Sequence, residues 1–144
     1  ERITGEICDI FRAGPNDIYI LSYEEPEAII WHSTLEKRIP DRDDLVRFRT
    51  EGRPGSFVWI EDVDLFFVSK SGSNNLYLFS PSSGKKELTD VSRVFSTYQN
   101  NQRLQTKFEA YGEVRDLFVG RARNNIYLVV AQADRIEFFN IRPY

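Results

Sequence analysis

The sequence predicts an all-β protein built from about three four-stranded antiparallel units. Three observations carry that expectation: one strand–turn–strand pattern occurs three times, its strands are rich in aromatic and β-branched residues, and turn-forming residues separate them. The copies begin at Asp9-Ile10-Phe11, Asp64-Leu65-Phe66 and Asp116-Leu117-Phe118. Each continues through a polar turn into a strand centred on Tyr19, Tyr77 or Tyr127, with spacings of 58 and 50 residues between these tyrosines. The approximate repeats are 1–34, 55–90 and 105–142, with a charged insertion at 35–54.

Each element follows from local chemistry. Leu65 to Val68 and Leu76 to Phe79 are near-continuous apolar runs, as strands covered on both faces require. Ser69 to Asn75 joins them with residues that tolerate positive φ or bond their own backbone. A third strand follows in each copy, at Ala28 to Trp31, Lys85 to Thr89 and Arg135 to Phe139. Further strands are expected upstream of the second and third copies, at Ser56 to Ile60 and Thr106 to Tyr111. Four antiparallel strands in a unit of roughly 50 residues make a blade of a β-propeller. Leu35 to Pro54, with Asp41-Arg42-Asp43-Asp44 at its middle, reads as a solvated insertion around a short strand, Leu45 to Phe48. Thr89 to Leu104 reads equally as a strand or as a short helix capped by Asp90. A β-trefoil also takes three repeats in about this length and stands as the alternative fold.

Composition narrows the function classes. With 19 basic against 22 acidic residues and a net charge of −3, there is no electrostatic footprint for nucleic acid or an anionic membrane. No apolar run approaches the roughly 18 residues of a membrane-spanning helix. The chain does not open on methionine and contains none, so it is expected to be a processed or excised piece of something longer. A single cysteine and the absence of Asn-X-Ser/Thr point to a reducing compartment, cytoplasmic or nuclear.

Catalytic constellations are hard to assemble, and the expectation is a protein that is not an enzyme and carries no cofactor. His32 follows Trp31 in a strand and reads as a packed or surface histidine; Cys8 beside Ile7 reads as a small buried hydrophobe. One histidine and one cysteine exclude a zinc site of the usual composition. Asp41, Asp43 and Asp44 lack the spacing, glycine and terminal glutamate of a calcium loop and read as a solvated turn. Glu61, Asp62 and Asp64 fall at strand ends, and Gly84, Gly112 and Gly120 are isolated in turns rather than gathered in a phosphate loop. The repeated Asp9, Asp64 and Asp116 are expected to cap turns, and Tyr19, Tyr77 and Tyr127 to stack blade on blade. Protein interfaces concentrate aromatics and arginine. The interaction candidates are therefore Trp31, Phe48, Trp59 and Phe139 with Arg47, Arg49, Arg53, Arg121, Arg123 and Arg142.

Val68 to Asp90 resembles the WD40-like propeller repeats of the TolB type, which run from an aliphatic strand through a polar loop to a Leu-Tyr strand, a Gly-Lys turn and a Leu-Thr. It departs from them in lacking a Ser-Pro-Asp-Gly turn before Asp64, and the Trp-Asp and Gly-His pairs of true WD40 repeats are absent. Phe108 to Asp116, with Arg135 to Phe139, is similar to blades of the large multi-propeller scaffolds that include the DNA-damage-binding ubiquitin-ligase adaptor and the pre-mRNA cleavage and splicing factors. Both resemblances imply a propeller fold and a rigid surface presented to other macromolecules. The leading expectation is a protein-interaction module or scaffold whose partners are other protein chains, further blades of the same protein or a second copy. Three blades leave an open edge in a ring of four to eight. A trefoil would instead imply carbohydrate or protein-ligand binding, although the Gln-X-Trp of ricin-type lectins is missing. A TolB-like propeller would alternatively serve as accessory to a peptidase domain elsewhere.

Overall fold

The computed structural model describes residues 3–36, 41–50, 52–79, 108–109 and 112–141. Within them the chain is all-β, arranged as three antiparallel sheets. Sheet A holds β1 (Glu6–Arg12), β2 (Asp17–Glu24), β3 (Glu27–Thr34) and β4 (Asp41–Arg49). Sheet B holds β5 (Pro54–Ile60), β6 (Leu65–Lys70), β7 (Asn75–Phe79) and β8 (Phe108–Glu109). Sheet C holds β9 (Val114–Ala122), β10 (Asn125–Gln132) and β11 (Ile136–Ile141). Within every sheet each strand pairs with its neighbour in sequence.

Turns of differing chemistry close these meanders. Between β1 and β2 the Ala13 N–H donates to the Asp17 carbonyl at 3.0 Å. Between β5 and β6 a 3-10 turn, Glu61–Val63, ends at Asp64, whose φ of 54° lies in the left-handed region and whose N–H donates to the Glu61 carbonyl. Aspartate tolerates this conformation because its short polar side chain bonds locally.

Sheet B lies between the other two, and strand alternation divides its side chains between two cores. Phe57 of β5, Phe66 and Val68 of β6 and Tyr77 of β7 pack with Leu21, Ala28, Ile30 and Phe48 of sheet A. The intervening Val58, Ile60, Leu65, Phe67, Leu76 and Leu78 pack with residues of sheet C that include Leu117, Leu128 and Phe139. The apolar runs of β6 and β7 are thus covered on both faces, as their composition predicts. The first strands of the three sheets adjoin, β5 lying beside both β1 and β9. The sheets therefore fan outward from three neighbouring inner strands.

Several expectations are corrected. The charged segment around Asp41 to Asp44 is neither a turn nor an excursion from the unit: it opens β4, the fourth strand of sheet A, with Asp41 opposite His32 and Phe48 opposite Ala28. The strand expected at Thr106 to Tyr111 does not precede β9 in sheet C. Its described part, Phe108–Glu109, pairs with β7 and covers what would otherwise be the bare edge of sheet B. The repeat is also out of phase. Asp9-Ile10-Phe11 and Asp116-Leu117-Phe118 lie in first strands, whereas Asp64-Leu65-Phe66 enters the second strand of its sheet. The elements expected at Lys85 to Thr89 and Thr89 to Leu104 lie outside the described residues.

The β5–β6 ladder is irregular between Pro54 and Phe57, and a side chain repairs it. The buried Ser69 hydroxyl accepts from the Ser56 N–H at 2.8 Å and donates to the Ser56 carbonyl at 3.2 Å. Ser69→Ala leaves that buried N–H without an acceptor, a loss of about 1–3 kcal/mol. Urea unfolding should show a lower midpoint with an unchanged slope.

Candidate functional site

The candidate aromatics mostly belong to the interior. Trp31, Phe48 and Phe139 are 2%, 4% and 1% exposed, so packing occupies the surface a partner would need. Trp31 donates its indole N–H to the buried Ser22 hydroxyl at 2.8 Å, which satisfies both groups on the face of sheet A turned away from sheet B. Trp59 is half-buried, its ring centroid 4.5 Å from Phe66 and 6.0 Å from Tyr19. Tyr19 also meets Phe66 edge-on at 5.2 Å, so this tyrosine does join sheet to sheet as expected. His32 is packed too, stacked on Tyr19 at 4.8 Å with Nε2 2.9 Å from an Asp17 carboxylate oxygen.

The candidate arginines are exposed but form no single patch. Arg53 reaches from the approach to β5 to Glu6 of sheet A at 2.9 Å, and Arg121 of sheet C pairs with Asp62 of the β5–β6 turn at 2.9 Å. These two ion pairs tie neighbouring sheets. Being exposed, each contributes at most about 1 kcal/mol. Arg47 lies 3.6 Å from Glu27 within sheet A, Arg49 is exposed on the same strand, and Arg123 occupies the β9–β10 turn at a φ of 56°. Arg142 lies outside the described residues.

A groove of about 510 Å³ runs where the inner strands meet, lined among others by Asp9, Arg12, Trp59, Glu61, Asp116 and Arg121. Asp9 and Asp116 among its charged groups hold inner strands together. Asp9 accepts the Ile10 N–H on Oδ1 at 2.9 Å and, on Oδ2, the Phe57 N–H of β5 at 3.1 Å. Asp116 accepts the Leu117 N–H at 2.9 Å and the Ser56 hydroxyl at 2.9 Å. These two aspartates are therefore bridges between inner strands rather than caps of turns; of the three, only Asp64 sits at a turn. Among the described residues no three His, Cys, Asp or Glu side chains gather as a metal site.

Cys8 packs at the edge of the core between sheets A and B, and burial pushes its thiol up despite the nearby Arg53 guanidinium. It therefore stays protonated near neutral pH and is a poor nucleophile.

The surface that sequence reasoning missed is the face of sheet C turned away from sheet B. On sheet C the face away from sheet B presents Phe118, Ile136 and Phe138, exposed by 52%, 58% and 62%. Phe118 and Phe138 flank Val129 in one cross-strand row. Among the described residues, the face of sheet A away from sheet B exposes apolar side chains only along β1, at Ile7 and Ile10, while Ser22, Ile29 and Trp31 of the neighbouring strands on that face are buried. The signal was present in β11, where Ile136 and Phe138 alternate with Phe139 and Ile141 only after an offset, so that apolar residues occupy both parities. Such a strand needs cover on both sides, and within this fan sheet C has cover on one.

No protein-family model matches the chain, and no curated protein matches it in sequence.

Two measurements check these assignments. Alkylation of Cys8 by iodoacetamide near neutral pH should be several-fold slower in the folded protein than in urea. Asp9→Ala removes the acceptor for two main-chain N–H groups and should lower unfolding free energy by about 1–3 kcal/mol in denaturant titration.

Proposed function

We propose that the chain is a segment of an open β-propeller and works as a non-enzymatic protein-interaction module, a scaffold that offers sheet faces to other polypeptides. The observation that carries this reading is the uncovered apolar face of sheet C, with Phe118, Ile136 and Phe138 exposed. Where one sheet meets the next inside the fan, the facing side chains are almost entirely buried; the face of sheet C away from sheet B presents Phe118, Ile136 and Phe138 to water. Monomeric soluble proteins rarely expose contiguous apolar patches of this kind unless they bind something. The propeller is favoured over the trefoil by connectivity. Each sheet is a meander of consecutive strands and the first strands adjoin, whereas a trefoil interleaves strands of different units in one barrel.

Cross-linking in an extract of the native source, followed by mass spectrometry, tests the reading. The wild-type chain should cross-link to polypeptides through residues of β1, β9 or β11, and the double variant Ile10→Arg/Phe138→Arg should lose those products. Identical products from wild type and variant, or none from wild type, would reject it.

A further inference from the structure

We infer that the groove between the inner strands binds an extended polypeptide segment carrying a basic side chain, which lodges at the carboxylates of Asp9 and Asp116. This rests on the interaction-module reading and names the chemistry of its partner. The three inner strands fix the layout. Asp9 of β1 accepts the N–H of Phe57 in β5, and Ser56 of β5 accepts the N–H of Leu117 in β9 at 3.3 Å, so these positions lie level with one another. Farther along, Arg121 of β9 reaches Asp62, just past the end of β5. The inner strands therefore run side by side in one direction. The groove follows them from Asp116 to Arg121, roughly 17 Å at strand rise.

Charge is unevenly spread along it. One end carries the Asp9 and Asp116 carboxylates. The other carries Arg12, Glu61 and Arg121, and Arg121 is neutralised by Asp62 at 2.9 Å, so Arg12 and Glu61 balance there. Arg12 does not offset the acidic end, because its Nε–H donates to the Gly14 carbonyl at 3.2 Å and turns the guanidinium away from Asp9. Asp9 has both oxygens engaged on main-chain N–H groups, whereas Asp116 receives Leu117 and Ser56 on Oδ1 alone. Its Oδ2 has no hydrogen-bond partner among the described residues. Two negative charges thus face the same end of the groove with one oxygen open. A cleft lined by one sign of charge concentrates ligands of the other.

The walls select a polypeptide over a free cation. β1, β5 and β9 are each the first strand of their sheet and pair on one side only among the described residues. The groove-facing N–H groups of Ile10, Phe57 and Leu117 are taken by Asp9, Asp116 and Ser56. Strand alternation turns the main-chain groups of every second residue the same way, so Arg12, Trp59 and Val119 present theirs to the groove as well. None of these has a main-chain partner there among the described residues. An extended chain supplies the matching row of N–H and carbonyl groups, as in strand addition to a sheet edge. About five of its residues span the groove. Beyond the basic residue, its side chains meet the half-buried Trp59 and the exposed Phe118.

Isothermal titration calorimetry with blocked pentapeptides tests the inference. The probes alternate valine and threonine and carry one lysine at the first or the last position; control peptides carry glutamate in its place. At low salt, wild type is expected to bind one of the lysine peptides with a change in Trp59 emission, since Trp31 is buried and does not line the groove. Both glutamate peptides should bind at least about tenfold more weakly. Asp116→Asn keeps an oxygen for Leu117 and Ser56 while removing the charge. It should fold as wild type by circular dichroism and weaken the lysine peptide about tenfold, the effect of one hydrogen bond to a charged group. Lysine and glutamate peptides of equal affinity overturn the inference, as does a folded Asp116→Asn variant that binds as wild type, or a wild type that binds neither lysine peptide. The interaction reading is decided separately. Cross-links through β11 that Phe138→Arg abolishes preserve it when no peptide enters the groove, and it fails when neither the peptides bind nor such cross-links form.

Discussion

Everything in this protein depends on sheet B being covered on both faces. Its strands alternate side chains between two cores, and neither sheet A nor sheet C can bury its apolar face without it. Sheet B cannot survive alone for the same reason, since its residues on either side would stand in water at roughly 25 cal/mol for each Å² of apolar surface. Stability is therefore cooperative across all three sheets. The polar contacts that cross between sheets serve registration. Arg53 with Glu6 and Arg121 with Asp62 are exposed and contribute little, whereas Asp9 and Ser56 bind main-chain groups of the neighbouring inner strand and so hold one sheet level with the next.

That arrangement turns stability and function into aspects of one problem. The interaction that seats sheet A on B, and B on C, is directional: one face of each sheet meets the opposite kind of face on the next. In this chain the sheet C end leaves Phe118, Ile136 and Phe138 exposed, whereas the sheet A end is buried at Ser22, Ile29 and Trp31 and, among the described residues, exposes apolar side chains only at Ile7 and Ile10 of β1. The sheet C side chains proposed to contact a partner are thus the structural equivalents of core residues, which is why an inventory of surface arginines and tryptophans did not find them.

The strands themselves were legible in the sequence to a large degree. β6 and β7 announced themselves by apolar residues at every position, β2 and β10 by the recurring aliphatic-Tyr-aliphatic centre, and β5 by Phe57 to Ile60. The strand partners were less so. Phe108–Glu109 has the composition of a strand wherever it pairs, and its place beside β7 depends on a chain path that no local pattern encodes. The acidic run Asp41-Arg42-Asp43-Asp44 looked like solvent-exposed turn because charge opposes burial; in the fold it lies at the outer margin of sheet A, where an edge strand favours charge. The aromatic candidates turn on the same distinction. Phe48 and Phe139 are aromatic in sequence whether they face a partner or a core, and only the packing of sheet on sheet assigns them to the interior.

What the sequence by itself determined is the all-β class, the threefold recurrence and most strand positions, because these follow from side-chain alternation, β-branched and aromatic content and turn chemistry within a few residues. What only the tertiary structure decided is the phase of the repeat and the roles of its recurrent residues. Asp9, Asp64 and Asp116 are indistinguishable in sequence context, yet two bridge inner strands and one terminates a 3-10 turn. The difference arises because a carboxylate's role is set by which N–H lies within 3 Å or so of it, and that is fixed by how β5 lies between β1 and β9.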